Sequence, residues 1–193
     1  ADYVFISAMA VQKESADKII DRCRKLGVKT VGGGPLFTSE PDSFPQIDHL
    51  VLNEAETTLP EFLKDLQNGT PKRVYASDRW TDLAKTPIPR WELIDFQKYV
   101  SMCLQYSRGC PFECDFCDIT TLYGRIPRTK SREQILAELD SLYNHGWRGN
   151  VFMVDDNFIG NKKKLKEEIL PALAEWMEKH KYPFTFYTQT SIN

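Results

Sequence analysis

The sequence predicts an α/β protein built on two parallel sheets. Three observations carry that prediction. Short apolar runs alternate with stretches whose apolar residues recur at helical spacing, glycines punctuate the joins, and the order strand, helix, strand repeats in both halves of the chain. The first half predicts a partial doubly wound parallel sheet. The second predicts a β-α-β-α-β series of the kind that builds parallel barrels.

In chain order, Tyr3–Ser7 is a short apolar run suited to a buried parallel strand. Ala16, Ile19, Ile20, Cys23 and Leu26 then recur at helical spacing, and Gly27 closes that helix. Val28–Val31 is the second strand and runs into Gly32, Gly33, Gly34 and Pro35; Asp48–Leu52 is the third. A helix carrying Leu59, Phe62, Leu63 and Leu66 follows and ends near Asn68-Gly69. A three-stranded piece of such a sheet leaves apolar surface uncovered, so further strands are expected upstream and the chain reads as part of a longer protein. Residues 1–69 are therefore assigned to the first domain, 70–99 to a connection and 100–193 to the second domain. In the connection, Pro87 and Pro89 favour extended backbone and predict a fixed spacer anchored by Trp80 and Trp91.

The second domain opens on the strand Ser101–Tyr106, with Cys103 expected as a small buried hydrophobe. Ser131 and Gln134 form a capping box for a helix whose stripe is Ile135, Leu136, Leu139 and Leu142. Asn150–Val154 is the next strand. Lys162–Lys181 reads as a helix with a break at Pro171, and Phe184–Thr188 is the third strand. Each strand ends in ligand-forming residues: cysteines after the first, Asp155, Asp156 and Asn157 after the second, and Gln189, Thr190, Ser191 and Asn193 after the third. In parallel α/β architectures those ends share one rim, where active sites lie.

The cysteines are the sharpest signal. Cys110, Cys114 and Cys117 stand in a C-x-x-x-C-x-x-C run on one polar loop, Ser107–Cys117. Three thiolates so close can converge on one metal centre, and thiolates are the ligands of iron–sulfur clusters. A cubane needs four ligands, so one iron would stay open. The alternatives are structural zinc, for which no second ligand pair is visible, a disulfide framework, against which the odd count of five cysteines argues, and three unrelated buried thiols. Arg125, Arg128 and Lys130 follow the loop and read either as an anion-holding set or as a solvated basic loop. His49, His145 and His180 carry no pattern beyond surface or packing roles.

The net charge of −2 gives no electrostatic footprint for nucleic acid, and no apolar run approaches the ~18 residues of a membrane span. Free thiols without a visible signal peptide fit a reducing cytoplasm.

The cysteine run, with Phe116 just before its last member, resembles the signature of the radical S-adenosylmethionine (SAM) superfamily. The segment before it resembles the second half of a cobalamin (B12)-binding domain, and the Phe152–Asn161 run resembles the branch that includes the hopanoid methylases. This resemblance implies a Rossmann-like, B12-binding type of sheet followed by the first half of a radical SAM (βα)6 partial TIM barrel. It implies a [4Fe-4S] cluster held by Cys110, Cys114 and Cys117, with SAM on the open iron and Phe116, Asp155, Asp156, Asn157, Gln189 and Ser191 as cofactor-binding candidates. Asp155 and Asp156 depart from the family's commoner Gly-Gly-Glu form, and an Asx cap on the following helix is their structural alternative.

Ser7, Gly33 and Gly34 match positions around the nucleotide tail of cobalamin, with a plain strand-to-loop turn as the alternative. The implied activity is cleavage of SAM to a 5′-deoxyadenosyl radical for cobalamin-dependent methylation of an unactivated carbon. The alternatives are a cyclase or rearrangement enzyme of the same type, or a non-catalytic Fe–S or zinc module; a radical methylthiotransferase would bring a second cysteine set. The implied partners are a small-molecule or lipid substrate and an electron donor of flavodoxin or ferredoxin type. The 193 residues alone are expected to be inactive.

Overall fold

A computed structural model describes residues 2–191 and divides the chain into two compact units, Ala1–Thr81 and Asp82–Asn193. The first contains β1 (Tyr3–Ser7), α1 (Lys13–Lys25), β2 (Lys29–Gly33), α2 (Pro35–Ser39), β3 (His49–Val51), α3 (Ala55–Gln67) and β4 (Val74–Tyr75). Its four strands are parallel in the order β1-β2-β3-β4. Ser7 pairs with Gly33 and Gly33 with Val51, so the C-terminal ends of three strands finish level.

Apolar side chains pack on both faces of this sheet, as in a doubly wound sheet, although Phe5 of β1 stays 55% exposed. Ile6 and Leu50 pack with Ala16 and Ile20 of α1 and with Leu36 and Phe37 of α2. Val31, Val51 and Tyr75 pack with Phe62 of α3 on another. The helical stripes are narrower than the sequence suggests, because Ile19, Leu26 and Leu63 are exposed. His49 is a packing residue, its ring nitrogen Nδ1 lying 2.7 Å from the Lys72 carbonyl oxygen.

The connection expected over 70–99 is not a separate spacer. Val74–Tyr75 forms the fourth strand, fixed by the Leu50 and Leu52 N–H groups donating to the carbonyls of Arg73 and Tyr75 at 2.7 and 2.8 Å. From Asp82 onward the chain belongs to the second unit, where Leu83 and Trp91 are buried and Gln134 Nε2 donates to the Leu83 carbonyl at 2.9 Å. The prolines between them keep the backbone extended while these side chains anchor it. Trp80, expected as the other anchor, is 45% exposed.

The second unit contains β5 (Ser101–Leu104), β6 (Ser107–Arg108), α4 (Ile119–Tyr123), β7 (Arg128–Thr129), α5 (Arg132–Asn144), β8 (Gly149–Met153), α6 (Lys162–Lys164), α7 (Leu170–Lys179) and β9 (Phe184–Thr188). Strands β5, β8 and β9 form a parallel sheet in that order, and β6 pairs antiparallel with β7. The Ser131 capping box forms as expected: Gln134 N–H donates to Ser131 Oγ at 3.2 Å and Ser131 N–H to Gln134 Oε1 at 2.9 Å. The break expected at Pro171 takes the form of a π-helical turn, Leu165–Ile169, closed by Leu170 N–H donating to the Leu165 carbonyl. The wider turn accommodates the proline ring, which would otherwise meet the carbonyl four residues back.

One face of the β5-β8-β9 sheet is buried against α5 and α7. Met102, Leu104, Val151, Met153 and Phe184 meet Ile135, Leu139, Leu142, Leu173 and Trp176 there. Side chains alternate along a strand, so Cys103, between Met102 and Leu104, points to the opposite face. It is exposed rather than buried as the sequence led us to expect. Phe152 and Tyr187 stack on each other with ring centroids 4.8 Å apart, and both are in register with Cys103 along one row. His180 stacks on Trp176 at 4.1 Å. Among the described residues no helix is long and apolar enough to cross a membrane.

Candidate metal centre

The cysteine loop leaves the second unit through a narrow neck. Strand β6 leads into it and β7 leads out, paired through Ser107 with Thr129 and Arg108 with Arg128. Gly109 begins the loop at φ +95°, where a Cβ would lie 2.9 Å from the Gly124 carbonyl oxygen, so the turn requires glycine. Cys110 N–H donates to that same carbonyl at 3.2 Å, and Cys117 N–H closes a turn onto the Cys114 carbonyl at 3.0 Å. The short helix α4 follows, and Glu113 and Arg125 form a 2.7 Å pair between largely exposed side chains.

A cavity of about 470 Å³ brings together Cys110, Cys114, Cys117 and Phe116 from this loop, Asp156 and Asn157 from the end of β8, and Gln189, Thr190 and Ser191 from the end of β9. All five cysteines of the chain are free thiols, with Cys110 and Cys117 half-buried and Cys114 exposed. Phe116 is 91% exposed. Asn193, named with the third strand's end, lies outside the described residues.

The three residues after β8 divide sharply in environment. Asp155 is buried and does not line the cavity. Its carboxylate accepts from Tyr106 N–H at 3.3 Å, from Ser107 N–H and from Ser107 Oγ at 2.6 Å. Burial pushes the Asp155 carboxyl up to about 6 despite those hydrogen bonds, with the neighbouring Asp156 charge adding to the rise. Asp156 accepts from Gly109 N–H at 2.8 Å; burial raises its carboxyl too, against the pull of that bond and of Arg108 and Arg128. Asn157 donates from Nδ2 to Ser191 Oγ at 3.2 Å, while its buried Oδ1 has no hydrogen-bond partner. An orphaned buried acceptor beside a cavity is a place where a ligand's N–H would bind. The Asx-cap alternative falls to Asn161, whose Oδ1 accepts from Lys164 N–H at 3.2 Å at the start of α6.

The basic residues behind the cysteines do not form one anion site. Lys130 is buried and paired with Glu138 at 2.5 Å, Arg125 pairs with Glu113, and Arg128 donates to the Tyr123 carbonyl at 3.0 Å. Glu138 and Ser107 were not singled out from the sequence. A signal for Glu138 existed: it stands three residues after Ile135 and four before Leu142, inside an apolar stripe where a charge needs a buried partner.

In the first unit, Ser7, Gly33 and Gly34 meet at the strand ends beside a cavity of about 200 Å³. The chain's own packing demands these glycines. A Cβ on Gly33 would lie 2.9 Å from the Val51 carbonyl oxygen, and one on Gly34, at φ +82°, 2.7 Å from Ser7 Oγ. The turn is closed by Leu36 N–H donating to the Ala8 carbonyl at 2.9 Å.

Among the described residues no three His, Cys, Asp or Glu side chains stand arranged around a single metal ion. The donor set nevertheless fits an iron–sulfur cluster in kind: three thiols with no histidine, on the wall of a cavity within the roughly 300–1,000 Å³ range of ligand sites.

No protein-family model matches the chain. An uncharacterized methyltransferase of Synechocystis sp. is 47% identical across all of this chain and 36% of its own length. Hopanoid C-2 methylase of Rhodopseudomonas palustris is 38% identical, again across the whole chain and 37% of the methylase. The radical SAM methyltransferase TsrM from Kitasatospora setae, solved with cobalamin and a [4Fe-4S] cluster bound, matches with a TM-score of 0.66 at 16% identity, covering 93% of this chain and 42% of that one. The chain thus spans about a third of the curated relatives it matches.

The chain shares the α/β fold of that solved methyltransferase, and the relatives that match it along its whole length are named as a methyltransferase and a methylase. Hopanoid C-2 methylase is thus similar to this chain from end to end of the chain.

Proposed function

We propose that the protein to which this chain belongs is a radical SAM C-methyltransferase. Cys110, Cys114 and Cys117 would hold three irons of a [4Fe-4S] cluster, and SAM would take the fourth. When bound, the cluster would supply the electron that cleaves SAM to a 5′-deoxyadenosyl radical, and cobalamin, which Ser7, Gly33 and Gly34 would hold, would supply the methyl group. The observation that carries the reading is the single cavity lined by all three cysteines and by the ends of β8 and β9.

The chain's residues bind and orient rather than exchange protons. Asn157 Oδ1, buried and unpartnered, is suited to accept from the ammonium of SAM, while Asp156, Gln189, Ser191 and Phe116 line the same cavity. Relatives named as methylases of hopanoids support a small-molecule or lipid substrate. A flavodoxin- or ferredoxin-type donor in the cytoplasm would reduce the cluster.

Anaerobic turnover with a chemical reductant tests this. The expected result is 5′-deoxyadenosine release and a substrate heavier by one methylene, both lost in Cys117→Ser. A product of unchanged mass would point to rearrangement, and absence of deoxyadenosine would reject radical chemistry.

A further inference from the structure

Asp155 stands at the end of β8, where a cofactor contact would be expected, yet it is turned into the protein. Its carboxylate, 2% exposed, gathers three donors from Tyr106 and Ser107, the residues that carry the chain into the cysteine loop. A second buried carboxylate holds the exit. Glu138 of α5 accepts from Lys130 Nζ at 2.5 Å with both side chains almost fully buried, and Lys130 N–H donates to the Tyr106 carbonyl at 2.8 Å. Lys164 adds a bond from Nζ to Thr129 Oγ1 at 2.8 Å. Entry and exit are thereby tied to each other and each to a buried carboxylate on a different element. Among the described residues, the loop beyond the neck shows short turns, the five-residue helix α4, a bond from Arg128 to the Tyr123 carbonyl and an exposed Glu113–Arg125 ion pair.

We propose that Asp155 and Glu138 are positioning residues that fix the neck of the cysteine loop, setting the direction in which Cys110, Cys114 and Cys117 leave it, and that neither touches cofactor. This rests on the cysteines being cluster ligands, and it reassigns Asp155 from ligand contact to support. The physical ground is preorganisation. A loop whose two ends wander presents its thiols at variable separations and must be ordered each time metal binds; one with a fixed neck is ordered in advance.

The test is anaerobic reconstitution of the whole protein carrying Asp155→Asn, Ser107→Ala or Glu138→Gln, with amide exchange measured on the metal-free form. An asparagine matches the aspartate in shape but turns one acceptor into a donor, so it cannot serve all three partners. Apparent iron affinity should fall about tenfold in Asp155→Asn, the range typical of residues that orient metal ligands. Exchange should quicken over residues 106–110 in Asp155→Asn and over 128–131 in Glu138→Gln, with the cores of both sheets unchanged. Ser107→Ala removes one bond of the three and should shift the same readouts in the same direction by less. Clusters that do form in Asp155→Asn should still change their electron paramagnetic resonance spectrum when SAM is added.

Asp155→Asn that loads iron normally but no longer responds to SAM would overturn the proposal, making Asp155 a ligand contact. Normal iron loading in both Asp155→Asn and Ser107→Ala with unchanged exchange would overturn it too. If the unsubstituted protein takes up no iron, the cluster reading itself fails, whereas exchange at the neck still reports whether Asp155 holds it.

Discussion

Replacing Lys130 with methionine should cost the second unit about 3–5 kcal/mol, the usual penalty for leaving one charge of a buried pair alone. The structure puts this pair at the severe end. The two side chains are 7% and 2% exposed, the contact is 2.5 Å, and Glu138 Oε2 has no other partner to compensate. With a urea dependence of about 2 kcal/mol per molar, the midpoint should drop by about 1.5–2.5 M. Trp147 and Trp176, both in that unit's core, report the transition by fluorescence.

The deficit should depend on pH in a defined direction. Burial already raises the Glu138 carboxyl against the pull of Lys130, and without the lysine it rises further. A carboxyl raised in the folded state favours folding below its unfolded value, near 4.3, and loses that contribution as pH climbs through the folded value. Lys130→Met should therefore be least destabilised in acid and most destabilised at neutral pH. The double variant Lys130→Met with Glu138→Leu should recover most of the loss. A Lys130→Met midpoint unchanged at pH 7, or a deficit that grows on acidification, would refute this account of the pair.

Asp155 makes a second pH prediction. Its carboxyl is raised from 3.8 to about 6, so its contribution favours folding below pH 4 and is lost between pH 4 and 6, amounting to about 3 kcal/mol. The stability difference between the unsubstituted protein and Asp155→Asn should shrink across that interval in paired denaturation curves, and a flat difference would contradict the burial argument. Gly34→Ala should destabilise the first unit by about 1–3 kcal/mol, since it combines a left-handed φ with a Cβ placed 2.7 Å from Ser7 Oγ; Ser7→Gly should relieve part of the cost. Phe62→Ala removes a fully buried ring from between α3 and the sheet and should cost about 3–5 kcal/mol by denaturant titration.

Most strands and helices were legible because each has its own periodicity and punctuation, as in Tyr3–Ser7, the Ser131 cap and the Pro171 break. Strand β4 was not. Two residues, Val74 and Tyr75, become a strand only because β3 offers them an edge, and nothing local in Pro71-Lys72-Arg73 announces it. Cys103 was misplaced although the rule was available: Met102 and Leu104 claim the helix-facing side, so the residue between them cannot share it. The gathering of the cysteines with Asp156, Asn157, Gln189 and Ser191 was legible from the topology of parallel strands, which sends their C-terminal ends to one rim. The split between Asp155 and Asp156 was not, because it depends on where the Tyr106 and Ser107 N–H groups point in three dimensions. Lys130 likewise reads as one of several loop cations until the fold brings Glu138 against it.

Electron paramagnetic resonance of the anaerobically reconstituted, reduced protein, recorded before and after SAM is added, bears most directly on the central claim. Three thiols holding a cubane with one iron free predict an iron–sulfur signal that changes shape on SAM binding and disappears when Cys110, Cys114 or Cys117 becomes serine. A protein that instead retains tetrahedral zinc, or a cluster signal that SAM leaves unaltered, would contradict it.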